Sequence, residues 1–325
     1  MMKRFTFAIA VLFLLLGRSA FALELPGPLV DTAWLAKHHK QVVILDVRAD
    51  VKSYNQAPVY KKDTKTGKQI LAKVGGHIPA AMLVNYKHVR ADRKVGNLKV
   101  EYLIPEKAAF EKLIQAAGVN RDSTVVIASK GVNNLDMTMA TRLYWQLKYY
   151  GDDKIAILDG GLAAWLADGH KVTTSATQAR HGNWVATAER NELLATSDDV
   201  AKAVADKDVQ LVDNRPLSQY LGVAKKPYVY NYGHIAGAKS YPNELFVHTG
   251  MPAKFLSKTQ LQELAQQMGV KTGAKSITYC NSGHLASGGW FIMHELLGDK
   301  QVKLYDGSMH EWTMEKHPVT AMKME

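Results

Sequence analysis

One cysteine stands in the stretch Ser276-Ile277-Thr278-Tyr279-Cys280-Asn281-Ser282-Gly283-His284-Leu285-Ala286-Ser287-Gly288-Gly289-Trp290, where a short apolar run gives way to small residues. A thiol so placed can attack an electrophile and carry a second sulfur, or it can simply fill a core. Residues 276–279 alternate and hold β-formers, which predicts a strand; Ala286, Trp290, Met293 and Leu297 recur at helical spacing, which predicts a helix over 286–297. Cys280 then lies at the strand's carboxyl end, with five residues between it and a helix amino terminus. Backbone N–H groups left unpaired there, and the positive end of the helix dipole, favour a thiolate and attract an anionic substrate. A buried structural cysteine is the competing reading. The strand–loop–helix junction favours the nucleophile.

The elements that position this loop occur twice. Val42-Val43-Ile44-Leu45-Asp46-Val47-Arg48 matches Val209-Gln210-Leu211-Val212-Asp213-Asn214-Arg215, and Gly76-His77-Ile78-Pro79-Ala80-Ala81 matches Gly233-His234-Ile235-Ala236-Gly237-Ala238. Ile157-Leu158-Asp159-Gly160-Gly161, with Trp165 and His170-Lys171-Val172-Thr173 beyond, matches Leu304-Tyr305-Asp306-Gly307-Ser308, with Trp312 and His317-Pro318-Val319-Thr320. Blocks recurring in one order mark a duplicated domain. The first copy is expected over 28–173, the second over 193–322, with the polar stretch 174–192 as linker. Strands are predicted at 42–46, 125–129, 155–158, 209–213, 276–280 and 302–305, and helices at 106–117, 136–150, 161–168, 197–205, 258–268 and 286–297. Strand–helix alternation implies an α/β fold, each half a mostly parallel sheet covered on both faces, with ligands at the strands' carboxyl ends. The lysine-rich run 61–68 reads as a solvated loop.

Taken together, the doubled Asp-x-Arg strand ends, the Gly-His-Ile turns, the Cys-x-x-Gly loop and the Asp-Gly…Trp blocks resemble the two-domain members of the rhodanese family of sulfurtransferases. The resemblance spans nearly the whole chain after residue 22. It implies two tandem rhodanese-like domains, the second catalytic and the first a silent copy. In the first, Ser129 stands in place of Cys280, and a hydroxyl cannot hold a persulfide. The implied activity is that of a thiosulfate or 3-mercaptopyruvate sulfurtransferase. Cys280 takes sulfur from a small anionic donor and passes it to a thiol, cyanide or protein acceptor, and no metal or other cofactor is needed. Substrate-binding candidates are Asn281, Ser282, Gly283, His284, Leu285 and Ala286 around the sulfur, and Arg215 beside it. Thiosulfate-type relatives follow the cysteine with Arg and Lys, where this chain has Asn281 and Ser282, and many place a substrate-binding Arg where Gln219 stands. Arg90, Arg93 and Lys94 are the candidates for the missing charge.

Asp46, Arg48, Asp213, Arg215, His77 and His234 recur in both halves, the thiol-free one included, so they read first as structural pairs and turns. His284 reads as a loop residue that either donates to an anion or helps set the thiol's charge. Asp159 and Asp306 read as helix caps, and Trp165, Trp290 and Trp312 as core. The histidines show no metal-ligand spacing and one cysteine cannot build a cysteine-rich zinc site.

Residues 1–22 read as an export signal: basic Lys3 and Arg4, an apolar run from Phe5 to Leu16 broken only by Thr6, and Ala20-Phe21-Ala22 as cleavage site. A periplasmic or otherwise exported chain starting at Leu23 is therefore expected, free of the membrane after cleavage. The formal charge is +11, of which Lys3, Arg4 and Arg18 carry three, leaving +8. With no nucleic-acid-binding signature, that balance reads as solubility and mild attraction of anions. A non-catalytic persulfide or chalcogen carrier is the alternative function. A phosphatase would need Cys-x5-Arg to clamp a tetrahedral dianion, and position 286 is Ala. The sequence leaves the oligomeric state open.

Overall fold

The computed structural model describes residues 23–178 and 180–322; the expected export signal lies outside them. The first half begins with β1 (Leu29–Val30), α1 (Thr32–His38), β2 (Val43–Arg48), the hairpin of β3 (Val59–Lys62) and β4 (Gln69–Lys73), and β5 (Met82–Asn85). A second hairpin of β6 (Ala91–Val95) and β7 (Leu98–Leu103) follows, then α2 (Lys107–Ala116), β8 (Val125–Ala128), α3 (Asn134–Tyr149), β9 (Ile155–Leu158) and α4 (Gly161–Ala167). The second half starts with β10 (Leu194–Ala195), α5 (Ser197–Asp206), β11 (Gln210–Asp213), α6 (Leu217–Tyr220) and β12 (Lys239–Ser240). It ends with α7 (Lys258–Gln267), β13 (Ser276–Tyr279), α8 (His284–Trp290), β14 (Val302–Tyr305) and α9 (Ser308–Met314).

Each half builds a five-stranded parallel sheet, ordered β1-β9-β8-β2-β5 and β10-β14-β13-β11-β12. The central strands β8, β9 and β13 are buried along their whole length, as helices covering both faces require; β8 and β9 are continuous apolar runs, while β13 also buries Ser276 and Thr278. Side-chain caps fix the helix starts: Thr196 and Asp199 cap α5 reciprocally, Ser257 and Gln260 cap α7, and Asn133 accepts from the Asp136 N–H at α3. Each sheet packs an outer core of its own. A third core runs continuously from Leu45 and Trp145 in the first half to Trp290 and Leu304 in the second, so the two halves share buried apolar surface.

Several expectations are corrected. Run 61–68 is not a bare loop: Lys61 and Lys62 pair with Ile70 and Gln69 across an exposed hairpin whose turn Asp63 ties by accepting from Thr66. The stretch 174–192, between the two halves, is packed down: Trp184 and Ala186 are buried and Trp184 packs edge-on against Phe110 of α2 at 5.7 Å. Three residues, not five, separate Cys280 from its helix, because Gly283 at φ 71° turns the chain straight into α8. That helix keeps α geometry to Trp290 and widens to a π-helical stretch over Phe291–Leu296.

Candidate active site

Cys280 follows the last residue of β13, the strand held between β11 and β14. Its loop hangs on one hydroxyl. Ser308 Oγ accepts from the N–H of Cys280 at 3.0 Å and of Gly283 at 3.1 Å, while donating to the Tyr305 carbonyl at 2.8 Å. Ser308 holds φ at 51°, a left-handed conformation costly for a residue with a Cβ. The Cys280 and Asn281 carbonyls accept from Met309 and His310 N–H at 3.0 and 2.9 Å. Gly283 has no room for a side chain: a Cβ there would meet Asp306 Oδ1 at 2.3 Å and Arg142 Nη1 at 2.6 Å. Among the described residues, no protein acceptor takes the N–H groups of Asn281, Ser282, His284, Leu285 or Ala286. Five donors are thus left free around a cysteine that is 1% exposed.

The expected site residues divide. Asn281 and Ser282 are buried beside Cys280, and Asn281 Nδ2 donates to Gln219 Oε1 at 2.8 Å, so two of the three expected cation positions face each other as neutral amides. Ser282 stands beside Tyr228. Leu285 packs on the shared core and Ala286 is fully buried. His284 packs at a tilt against Tyr86 with ring centroids 4.9 Å apart, and burial, with Arg90 and Arg142 nearby, pushes it down to about 3. It is neutral at ordinary pH and cannot charge-stabilise a thiolate, which corrects that part of the reading. Arg215 is corrected as well. Its Nε and Nη2 are taken by Asp213 at 2.9 and 2.6 Å, and Nη2 also donates to the Gly233 carbonyl at 2.8 Å. It clamps the turn and contributes only its field to the site. Arg48 does the same with Asp46 and the Gly76 carbonyl. His77 and His234 bond the carbonyls of Tyr54 and Tyr220, on whose rings they stack.

Asp159 and Asp306 cap nothing. Each crosses to the other half: Asp159 Oδ1 accepts from Phe255 N–H at 2.9 Å, and Asp306 Oδ2 from Ile104 N–H at 2.6 Å. Asp306 Oδ1 also pairs with Arg142 of α3 at 2.5 Å, and Arg142 donates to the Gly283 carbonyl at 3.3 Å. The small residues of α8 make room for two asparagines and for α3. A Cβ on Gly288 would meet Asn243 Oδ1 and Thr138 Cγ2 at 2.2 and 2.7 Å, one on Gly289 would meet Asn214 Oδ1 at 2.2 Å, and Ser287 Oγ bonds Thr141 Oγ1 at 2.9 Å. Of the three basic candidates, Arg90 reaches the site, lying over the Tyr86 and Tyr102 rings at 4.7 and 4.9 Å. Arg93 turns to Glu106 and the Ile104 carbonyl, and Lys94 is exposed on the β6–β7 hairpin. Sequence reasoning missed Arg142 and Ser308. Only the Gly161 counterpart of Ser308 in the repeat, at φ 55°, carried a signal.

The description "Rhodanese-like domain" matches residues 30–168 and again 196–315. The chain belongs to the rhodanese family. A Haloferax volcanii protein named putative thiosulfate sulfurtransferase is 31% identical over 241 residues, which cover 73% of this chain and 80% of that one. The sulfur carrier protein TtuD of Thermus thermophilus is 28% identical, covering 88% of this chain and 94% of that one. The crystal structure of SseA from Escherichia coli, described as a 3-mercaptopyruvate sulfotransferase, superposes with TM-score 0.69 at 26% identity and covers 87% of this chain and 98% of that one.

The first rhodanese domain repeats the loop with its anion site filled from within. Leu162 and Ala163 N–H hold the Ser129 and Lys130 carbonyls at 2.8 and 2.9 Å, as Met309 and His310 do in the second domain. But Asp136, on the first turn of α3, places Oδ2 on the Val132 N–H at 3.0 Å. Ser129 Oγ turns instead to the Met137 sulfur at 3.5 Å.

Proposed function

We propose that this rhodanese is a sulfurtransferase whose second domain carries sulfane sulfur on Cys280. The Cys280 thiolate attacks the outer sulfur of a donor such as thiosulfate. The donor's S–S bond breaks, sulfite leaves with the bonding pair, and a cysteine persulfide anion forms. A thiophilic acceptor takes the outer sulfur and returns the thiolate; cyanide leaves as thiocyanate. The observation that carries this is the ring of five unpartnered amides around a buried cysteine at a strand's carboxyl end. In that dry setting, backbone dipoles stabilise the anionic terminal sulfur as an oxyanion hole stabilises oxygen. Burial admits only slender donors and acceptors.

The test is turnover together with intact mass. Incubation with thiosulfate should add one sulfur atom to the chain, and cyanide should then yield thiocyanate over many cycles. Cys280→Ser should remove both; full activity in that variant would overturn the assignment. A carrier would load one sulfur and stop, the reading that the relative named as a sulfur carrier makes worth separating. We also propose export, supported by the basic, apolar and small-residue pattern of residues 1–22. Amino-terminal sequencing of protein from an exporting host should begin at Leu23.

A further inference from the structure

Beside the cysteine loop, the wall contributed by the first domain holds polar donors that bond nothing. Tyr86 Oη, Arg90 Nε, and Arg142 Nε and Nη2 are all buried without a hydrogen-bond partner. Arg142 is 0% exposed and Tyr86 3%, and the Nε of half-buried Arg90 is enclosed, so bulk water does not reach these atoms. They surround one place. Arg90 lies 4.7 Å over the Tyr86 ring, the Tyr86 and His284 rings meet at a tilt with centroids 4.9 Å apart, and Arg142 bonds the carbonyl of Gly283, next to His284. Gly283 and His284 belong to the short loop and helix start that follow Cys280, so the cluster lies against the loop that carries the sulfur.

Charge is unbalanced there as well. Asp306 pairs with Arg142, but Arg90 makes no salt bridge among the described residues. His284 is kept neutral by burial and by these same two guanidinium groups, so it adds nothing. An enclosed water molecule could meet the donors; it could not offset the leftover cation. Pairs of guanidinium N–H groups match an oxyanion with two or more oxygens, and a phenol adds a third donor.

We infer that Tyr86, Arg90 and Arg142 form an oxyanion subsite, built by the silent domain, that holds the charged end of the sulfur donor while the amide loop receives its sulfur. It deepens the sulfurtransferase reading, on which it rests, by naming where donor recognition resides. The shared ligand chemistry is a small –SO3 or –COO group, supplied either by thiosulfate or by a 2-oxo acid bearing the transferable sulfur. The neutral Gln219–Asn281 pair leaves this wall as the basic side of the site.

Arg90 is the residue to change, since Arg142 also holds the domain interface. In a Cys280→Ala background, calorimetry with thiosulfate and with pyruvate as probes should detect binding of at least one. Arg90→Gln should weaken it about tenfold or more, and Arg90→Lys should restore it in part. The probe that responds identifies the donor class. In the enzyme with Cys280 intact, Arg90→Gln should raise KM for that donor class with kcat nearly unchanged. Equal affinity with and without Arg90, binding of neither probe, or a loss confined to kcat would each overturn the subsite. The sulfur adduct on Cys280, read by mass in the parent enzyme, decides the transferase question separately.

Discussion

His284 shows how surroundings decide what a side chain does. A histidine four residues after a reactive cysteine suggests an imidazolium beside a thiolate. Here burial and the neighbouring guanidinium groups hold it down to about 3. The sign of the linkage follows. With a folded pKa below the unfolded value near 6.5, the unfolded chain binds the proton first, so stability is fully present above that value and falls as pH drops toward 3. Between pH 8 and pH 5, His284 should cost about 2 kcal/mol. His284→Gln removes that component, so urea titrations should show the parent losing about this much more than the variant over the same range. Parallel curves would mean the imidazole ionises normally. The sequence displayed the residue and its position, but the two cations that neutralise it belong to distant segments.

At the level of elements, one strand–loop–helix unit appears twice with opposite outcomes. In the second domain Ser308 accepts a left-handed φ of 51° to supply a hydroxyl to two loop amides, where the first domain has Gly161 at 55°. Ser308→Gly should relieve strain of about 1 kcal/mol and lose hydrogen bonds of similar total worth. Melting should therefore change little, while thiocyanate production falls about tenfold because the amides are no longer held. Loss of stability with activity intact would refute the anchoring role. In the first domain the Asp136 carboxylate sits on the loop, bonded to the Val132 N–H, where a persulfide anion would have to lie, so Ser129→Cys should not create a second carrier. Intact mass after thiosulfate treatment should still show one added sulfur per chain, and two would contradict the account. Strands with continuous apolar runs and helices with a clear apolar stripe were readable in the sequence, as 155–158 and 258–268 illustrate. The two hairpins, the edge strands β5 and β12 and the start of α8 were not, because exposed or very short elements have no apolar period to declare them.

For the whole molecule, the active loop is assembled by contact between domains. Arg142, Asp306 and Gly283 form one buried group, with Ile104 closing it from the β7–α2 connection. Arg142→Met should leave the Asp306 carboxylate buried with backbone contacts alone, costing about 3–5 kcal/mol. Because the central core is continuous across both domains, that loss should appear as a lower midpoint of a single unfolding transition, with transferase activity falling alongside. Two separate transitions, only one of them shifted, would indicate that the halves unfold independently.

The sequence by itself determined the duplication, the parallel α/β architecture, the place of Cys280 at a strand end and the absence of a thiol from the first copy. All are carried by residues close together in the chain or by repetition of short blocks. The tertiary structure alone decided which charges serve the site. Asp306 meets Ile104 across 202 residues and Arg142 across 164, while Ser287 meets Thr141 across 146. No local period encodes such pairings. They arise because packing α8 against α3 buries polar groups that must then find partners in whatever surface faces them.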